Sequence, residues 1–200
     1  ATVGHGLNAE PHLIITKNRD SSSYGWYTYA KAIGNTKYLT LEQTSAAATF
    51  NLWQDTTATS SVFYLSSNNA VMKSSDNYVA YCISPVAGYS AVGSYVGNSN
   101  ATDGSFIYTG FKVALLLVKN TGASENWLII DAARSPYNVA EEYLHPNTSD
   151  DEDSQYYDVD LLSNGFKWRN NATAANHSSY TFIYAAFAEN PFQANGGLAR

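Results

Sequence analysis

Apolar residues along the chain come in short runs, broken roughly every ten residues by clusters of Ser, Asn, Asp and Gly that mark turns. In the first half the runs predict strands over Leu13–Lys17, Trp26–Ala30, Lys37–Leu41, Ser61–Leu65, Ala70–Lys73 and Tyr78–Ser84. Tyr89–Gly97 and Ser105–Phe111 then lead into the second half. There the pattern predicts strands over Ala114–Lys119, Trp127–Asp131, Asp158–Leu162, Gly165–Arg169 and Tyr180–Ala188. Leu13–Lys17 is apolar enough for a strand buried on both faces, whereas Lys37–Leu41 alternates and suits a half-buried one. Asn164-Gly165 between apolar stretches is the strongest hairpin signal in the chain, because both residues tolerate positive φ. Val139–Leu144, set between Pro136 and Pro146, reads as a short helical turn. Many short strands and little helix predict an all-β protein, an antiparallel β-sandwich or jelly roll.

The pattern is also written twice. Pro11-His-Leu-Ile-Ile-Thr-Lys-Asn18 returns as Val113-Ala-Leu-Leu-Leu-Val-Lys-Asn120. Each is followed by a polar loop and a Trp, at Trp26 and Trp127, then by Tyr-Leu at Tyr38-Leu39 and Tyr143-Leu144. Thr44-Ser45 and Thr148-Ser149 come next, and each half closes on an apolar strand, Tyr78–Ile83 or Phe182–Phe187. So long a period excludes a stacked solenoid and points to two duplicated halves. The halves are expected over residues 1–97 and 98–192, held together as one unit by the short polar loop Asn98–Gly104, with residues 193–200 as a flexible tail. Features present in both copies read as scaffold, and those in one copy are freer to carry function.

Composition agrees with strands: aromatics make up 14% of the chain, with 16 Tyr, and charged residues only 14%. The net charge of −6 and the lack of a basic stripe argue against nucleic-acid binding. No apolar run approaches the ~18 residues of a membrane span. There is neither a visible signal peptide nor an initiator Met, so the chain reads as part of something longer or as a processed product. The single cysteine, Cys82, reads as a buried small hydrophobe and permits no intrachain disulfide, which fits folding in a reducing cytosol. Four Asn-x-Ser/Thr sequons, at Asn100, Asn147, Asn171 and Asn176, are within chance for such a composition.

A set of phrases resembles a module near the C-terminus of tail-fibre and other virion surface proteins of tailed bacteriophages, notably marine ones. They include Gly4-His-Gly-Leu7, Pro11–Asp20, Asn77–Ile83 and Gly93–Asn98. Thr102–Phe111, Leu162–Lys167 and Ala185–Phe192 complete the set, which spans residues 3–192, and the terminal Leu198-Ala-Arg200 also resembles the ends of such proteins. Val113 departs from it, since many relatives carry Pro there as at Pro11. The resemblance implies a β-rich, non-enzymatic module on the virion surface, made in the host cytoplasm and acting outside the cell. Its partners would be a host-surface glycan or protein and other virion proteins, with homo-oligomers, trimers by analogy, as the working state. No catalytic residue and no cofactor is implied. The rival reading is a structural virion component, a head-decoration, collar or fibre-shaft domain that makes only protein contacts.

Candidate residues follow from loop aromatics, which stack on sugar faces while neighbouring Asn and Asp bond the hydroxyls. Tyr24 in a Ser-rich loop, Trp53 in Phe50–Asp55, and Tyr156-Tyr157 after an acidic run are the candidates. Trp26 and Trp127, at equivalent places in the two copies, read as core. Asp150, Asp151 and Asp153 are weak calcium candidates, because Ca²⁺ takes about six to eight oxygens but this run lacks the spacing of an EF-hand loop. His5, His12, His145 and His177 have no metal-ligand spacing, and Gly88-Tyr-Ser-Ala-Val92 lacks the second Gly of a nucleophile elbow.

Overall fold

The computed structural model describes residues 1–191; the expected tail at 193–200 lies outside the described residues. The fold is all-β, with fifteen strands and one 3₁₀ turn, at Lys31–Ile33, among the described residues. The first eight strands are β1 (Thr2–Gly4), β2 (Leu13–Asn18), β3 (Trp26–Ala30), β4 (Lys37–Thr40), β5 (Ala48–Thr49), β6 (Val62–Tyr64), β7 (Tyr78–Ile83) and β8 (Ser90–Val96). The remainder are β9 (Phe106–Tyr108), β10 (Val113–Asn120), β11 (Leu128–Asp131), β12 (Tyr143–Leu144), β13 (Val159–Leu162), β14 (Gly165–Trp168) and β15 (Thr181–Ala188). All named pairings are antiparallel. No helix among the described residues is long and apolar enough to cross a membrane.

Two compact units emerge, residues 1–84 and 85–200, so the division falls before β8 and not after it as the repeat had suggested. The reason is pairing: β8 runs along β15 for seven residue pairs, from Thr181↔Val96 to Phe187↔Ser90. Unit 1 has a five-stranded sheet in the order β5-β4-β3-β2-β7 and a two-stranded one, β1-β6. Ile14 and Tyr29 from the large sheet and Phe63 from the small one meet Leu52, Trp53 and Val71 in its core. Unit 2 has a five-stranded sheet, β12-β11-β10-β15-β8, and a three-stranded one, β13-β14-β9. Val113, Leu116, Leu128 and Phe182 pack there with Ile107, Leu161, Phe166 and Trp168. Two sheets enclosing one apolar core is sandwich construction.

Over β4-β3-β2-β7 and β12-β11-β10-β15 the wiring of the units coincides beyond strand order. Lys17 stands opposite Trp26 and Val79, while Lys119 stands opposite Ile183, and the β10–β11 register brings it level with Trp127. Asn18↔Tyr78 matches Asn120↔Phe182, and Val3↔Phe63 matches Ile107↔Phe166. The side-chain bonds coincide as well. Asn18 Oδ1 accepts from the amides of Asp20 and Ser21, as Asn120 Oδ1 does from those of Gly122 and Ala123. Lys17 Nζ donates to the carbonyls of Ser21 and Tyr24, and Lys119 Nζ to those of Asn120 and Glu125. The Trp26 amide donates to Glu42 Oε2 and the Trp127 amide to Asn147 Oδ1. Each hairpin loop thus has polar backbone groups bonded by the Lys and Asn side chains of its first strand and by one side chain from a later segment.

Local expectations change in several places. Tyr143-Leu144 forms strand β12, not a helical turn, because Ala140 bridges Val159 and Tyr143 bridges Asp153 across the segment. Ala70–Lys73 is a turn closed by Asn68, whose carbonyl accepts from the amides of Val71 and Met72. Ser163-Asn164 is the two-residue loop of the β13–β14 hairpin, and Gly165 is its first strand residue, paired with Leu162. Glycine is required there by crowding, since an added Cβ would lie 2.1 Å from the Ile107 carbonyl oxygen.

Candidate functional site

The β2–β3 hairpin of unit 1 forms one wall of an open groove of about 910 Å³. Buried Asn18 anchors the loop, its Nδ2 donating to Asp76 Oδ2 (2.9 Å) and to the Tyr78 hydroxyl (3.1 Å). The hydrogen bond from Asn18, followed by that from Lys73, holds the Asp76 carboxyl below its ordinary range. Asp20 is clamped from the next segment by the Asn77 amide and side chain. Gly25 lets the chain pass Glu42 closely; a Cβ there would fall 1.8 Å from Glu42 Oε1.

On this rigid frame the Trp26 ring is partly exposed and stacks with Tyr81, centroids 6.4 Å apart and planes at 25°. Tyr81 is 54% exposed. Lys17, Arg19, Asp20, Ser21 and Ser22 line the groove beside the two rings. A second hollow of about 430 Å³ shares Lys17, Ser22 and Trp26 and adds Tyr24, Glu42 and Gln43. Trp26 therefore lies between two concave surfaces with hydroxyl, amide and carboxylate groups on both sides and the Arg19 guanidinium on one. An aromatic face edged by such donors and acceptors suits a ligand with one apolar face and a polar rim.

The sequence candidates scatter. Tyr24 is half-buried and lines the smaller hollow. Trp53 does not belong to any surface site: it is 2% exposed, packs edge-on to Tyr29 and donates its indole N–H to the Lys37 carbonyl (3.0 Å). The chain reversal at Gln54 and Asp55, both left-handed, turns this polar-looking segment back onto the core. Tyr156 and Tyr157 belong to unit 2, whereas the hairpin groove is formed by residues of unit 1. Tyr156 is 60% exposed, while Tyr157 packs edge-on against Tyr143 at 4.6 Å. Burial raises the Tyr143 and Tyr157 hydroxyls above their ordinary pKa, so both stay neutral.

Asp150, Asp151 and Asp153 do not converge into a calcium site. Asp150 and Asp151 are exposed, Glu152 pairs with Arg134 at 3.0 Å, and Asp153 is bound through its main chain to Tyr143. Among the described residues no group of His, Cys, Asp or Glu is placed to hold a metal ion. Burial pushes the Cys82 thiol up to about 11, which leaves it a poor nucleophile.

Trp26, expected in the core from the sequence, is partly exposed instead. Its equivalence to Trp127 holds for the backbone and for the bond each amide makes. The rings differ, since Trp127 is only 1% exposed. A repeat specifies where a side chain starts and not what covers it.

An all-β protein of two similarly wired units, one carrying an open aromatic groove, is the class that fold and site define. The chain belongs to the family described as Domain of unknown function (DUF7483), which matches residues 1–191. No curated protein and no solved structure matches it.

Proposed function

We propose that the chain is a non-enzymatic, glycan-binding module of a phage virion surface protein, used in attachment to the host. The observation that carries the binding role is the Trp26–Tyr81 pair set beside Arg19, Asp20, Ser21 and Ser22 in one groove. A pyranose ring offers an apolar face to the stacked aromatics and its hydroxyls to the polar loop. The virion setting rests on the resemblance of residues 3–192 to tail-fibre modules. Single sugar sites bind weakly, and a homo-oligomeric fibre, trimeric by analogy, would supply avidity. The two units are read as copies of one ancestral sandwich, supported by their shared registers.

The test is binding of fluorescently labelled protein to candidate host cells before and after surface polysaccharide is stripped. Saturable binding lost on stripping, and lost in Trp26→Ala while the circular dichroism spectrum is kept, is the expected result. Binding that survives both treatments would remove the groove from the adhesion site. Absence of any binding by folded protein would favour a structural virion component.

A further inference from the structure

Unit 2 has a strand that unit 1 lacks. Beyond β15, at the sheet edge, β8 adds seven residue pairs. Beyond β7, the counterpart of β15, no strand pairs among the described residues, and β7 ends its sheet. The difference is not confined to the backbone. Tyr95 of β8 stacks on Phe182 at 5.0 Å and packs edge-on to Phe166 at 6.0 Å. It also packs against Tyr184, and its hydroxyl accepts from Trp168 Nε1 (2.8 Å) and donates to the Ala175 carbonyl (2.7 Å).

Unit 1 has a cavity of about 370 Å³ whose walls include Val3, Phe63, Leu65, Tyr78, Ala80 and Cys82. By the registers above, Phe63 corresponds to Phe166, Tyr78 to Phe182 and Ala80 to Tyr184. Leu65, whose amide donates to the Ala1 carbonyl, corresponds to Trp168, whose amide donates to the Ser105 carbonyl. The cavity therefore lies where Tyr95 lies in unit 2. An open strand edge and, beside it in register, a hollow walled by apolar side chains together with His5 and Thr16 are what remains of a sandwich when one edge strand is taken away.

We infer that the outer edge of β7 receives an antiparallel strand of the β8 kind, whose inward apolar aromatic side chain fills this cavity. Its source follows from connectivity. β8 leads through residues 97–105 into β9, and β9 corresponds to β1. The incoming strand accordingly belongs to polypeptide on the N-terminal side of β1. Its side chain differs from Tyr95 in one respect: Leu65 stands where Trp168 offers an N–H, so a Phe suits unit 1 better than a Tyr. Ala80 in place of Tyr184 also removes the crowding that keeps Gly93 a glycine, where a Cβ would meet the Tyr184 hydroxyl at 3.1 Å.

The experiment grafts residues 89–104, with Tyr95→Phe, directly ahead of Ala1 of the full chain. A second graft has Tyr95→Ser. Amide exchange of Tyr78–Ile83 and alkylation of Cys82, the chain's single thiol, are measured in both and in the ungrafted protein. The Phe graft is expected to slow both by about tenfold or more, and the Ser graft to slow neither to that extent. Unchanged rates in the Phe graft, or equal protection by the Ser graft, would overturn the inference. Should the grafted chain not fold, the free Phe-bearing segment is titrated into the ungrafted protein. Saturable shifts confined to β7 and the cavity walls would uphold the acceptor edge, and their absence would overturn it.

Discussion

The two equivalent tryptophans should respond very differently to truncation. Trp127 is 1% exposed, and Trp127→Ala removes an indole from a fully packed site that can collapse only in part. Large-to-small changes of this kind cost about 3–5 kcal/mol. In a unit of this size that lowers the melting temperature by roughly 10–20 °C. Trp26 is partly exposed and leans on Tyr81, itself 54% exposed. Its amide bond to Glu42 survives truncation. Trp26→Ala should therefore cost only about 0.5–1.5 kcal/mol, the worth of a partial apolar contact and a ring pair. Urea unfolding followed by circular dichroism, with slopes checked for equality, measures both. A cost for Trp127→Ala below about 1.5 kcal/mol, or equal costs for the two variants, would refute the claim that covering, and not repeat position, sets the energetics.

Other predictions concern buried polar groups. Trp53→Phe keeps the packing against Tyr29 but leaves the Lys37 carbonyl without its donor, so about 1–3 kcal/mol should be lost with no change in glycan or cell binding; a binding defect in the folded variant would contradict the core assignment. Burial lowers the fully buried Lys119 ammonium to about 8, so the folded protein binds fewer protons than the unfolded chain between that value and the ordinary lysine range. Stability should accordingly rise with pH from about 8 to 9.5, by at most about 1.4 kcal/mol per unit, and this slope should vanish in Lys119→Met as read by denaturant titration at each pH. Tyr95→Phe strands the Trp168 N–H and the Ala175 carbonyl, and calorimetry should register about 1–3 kcal/mol of destabilisation in unit 2; a neutral result would mean that water replaces the hydroxyl.

Much of the scaffold was legible because period-two patterning and turn chemistry are local. Trp26–Ala30 forms over the predicted residues, and the other long strands agree within a residue or two at their ends. β12 was missed because two prolines flank a segment whose strand character comes from a bridge to Val159 and a pairing with β11. Gly165 was rightly marked but for another reason, as the crowding partner, the Ile107 carbonyl, is distant in sequence. Trp53 was misread because its polar neighbours hid a chain reversal that buries it.

By itself the sequence determined the class of fold and the positions of the long strands, since hydrophobic alternation and turn chemistry are properties of the chain alone. Only the tertiary structure decided that β8 belongs with unit 2, that Trp26 opens onto a groove while Trp127 is sealed, and that β7 ends its sheet beside a cavity. The physical reason is the same in each case. Exposure, covering and edge pairing depend on which distant segments arrive beside a residue, and two identical local patterns can receive different neighbours.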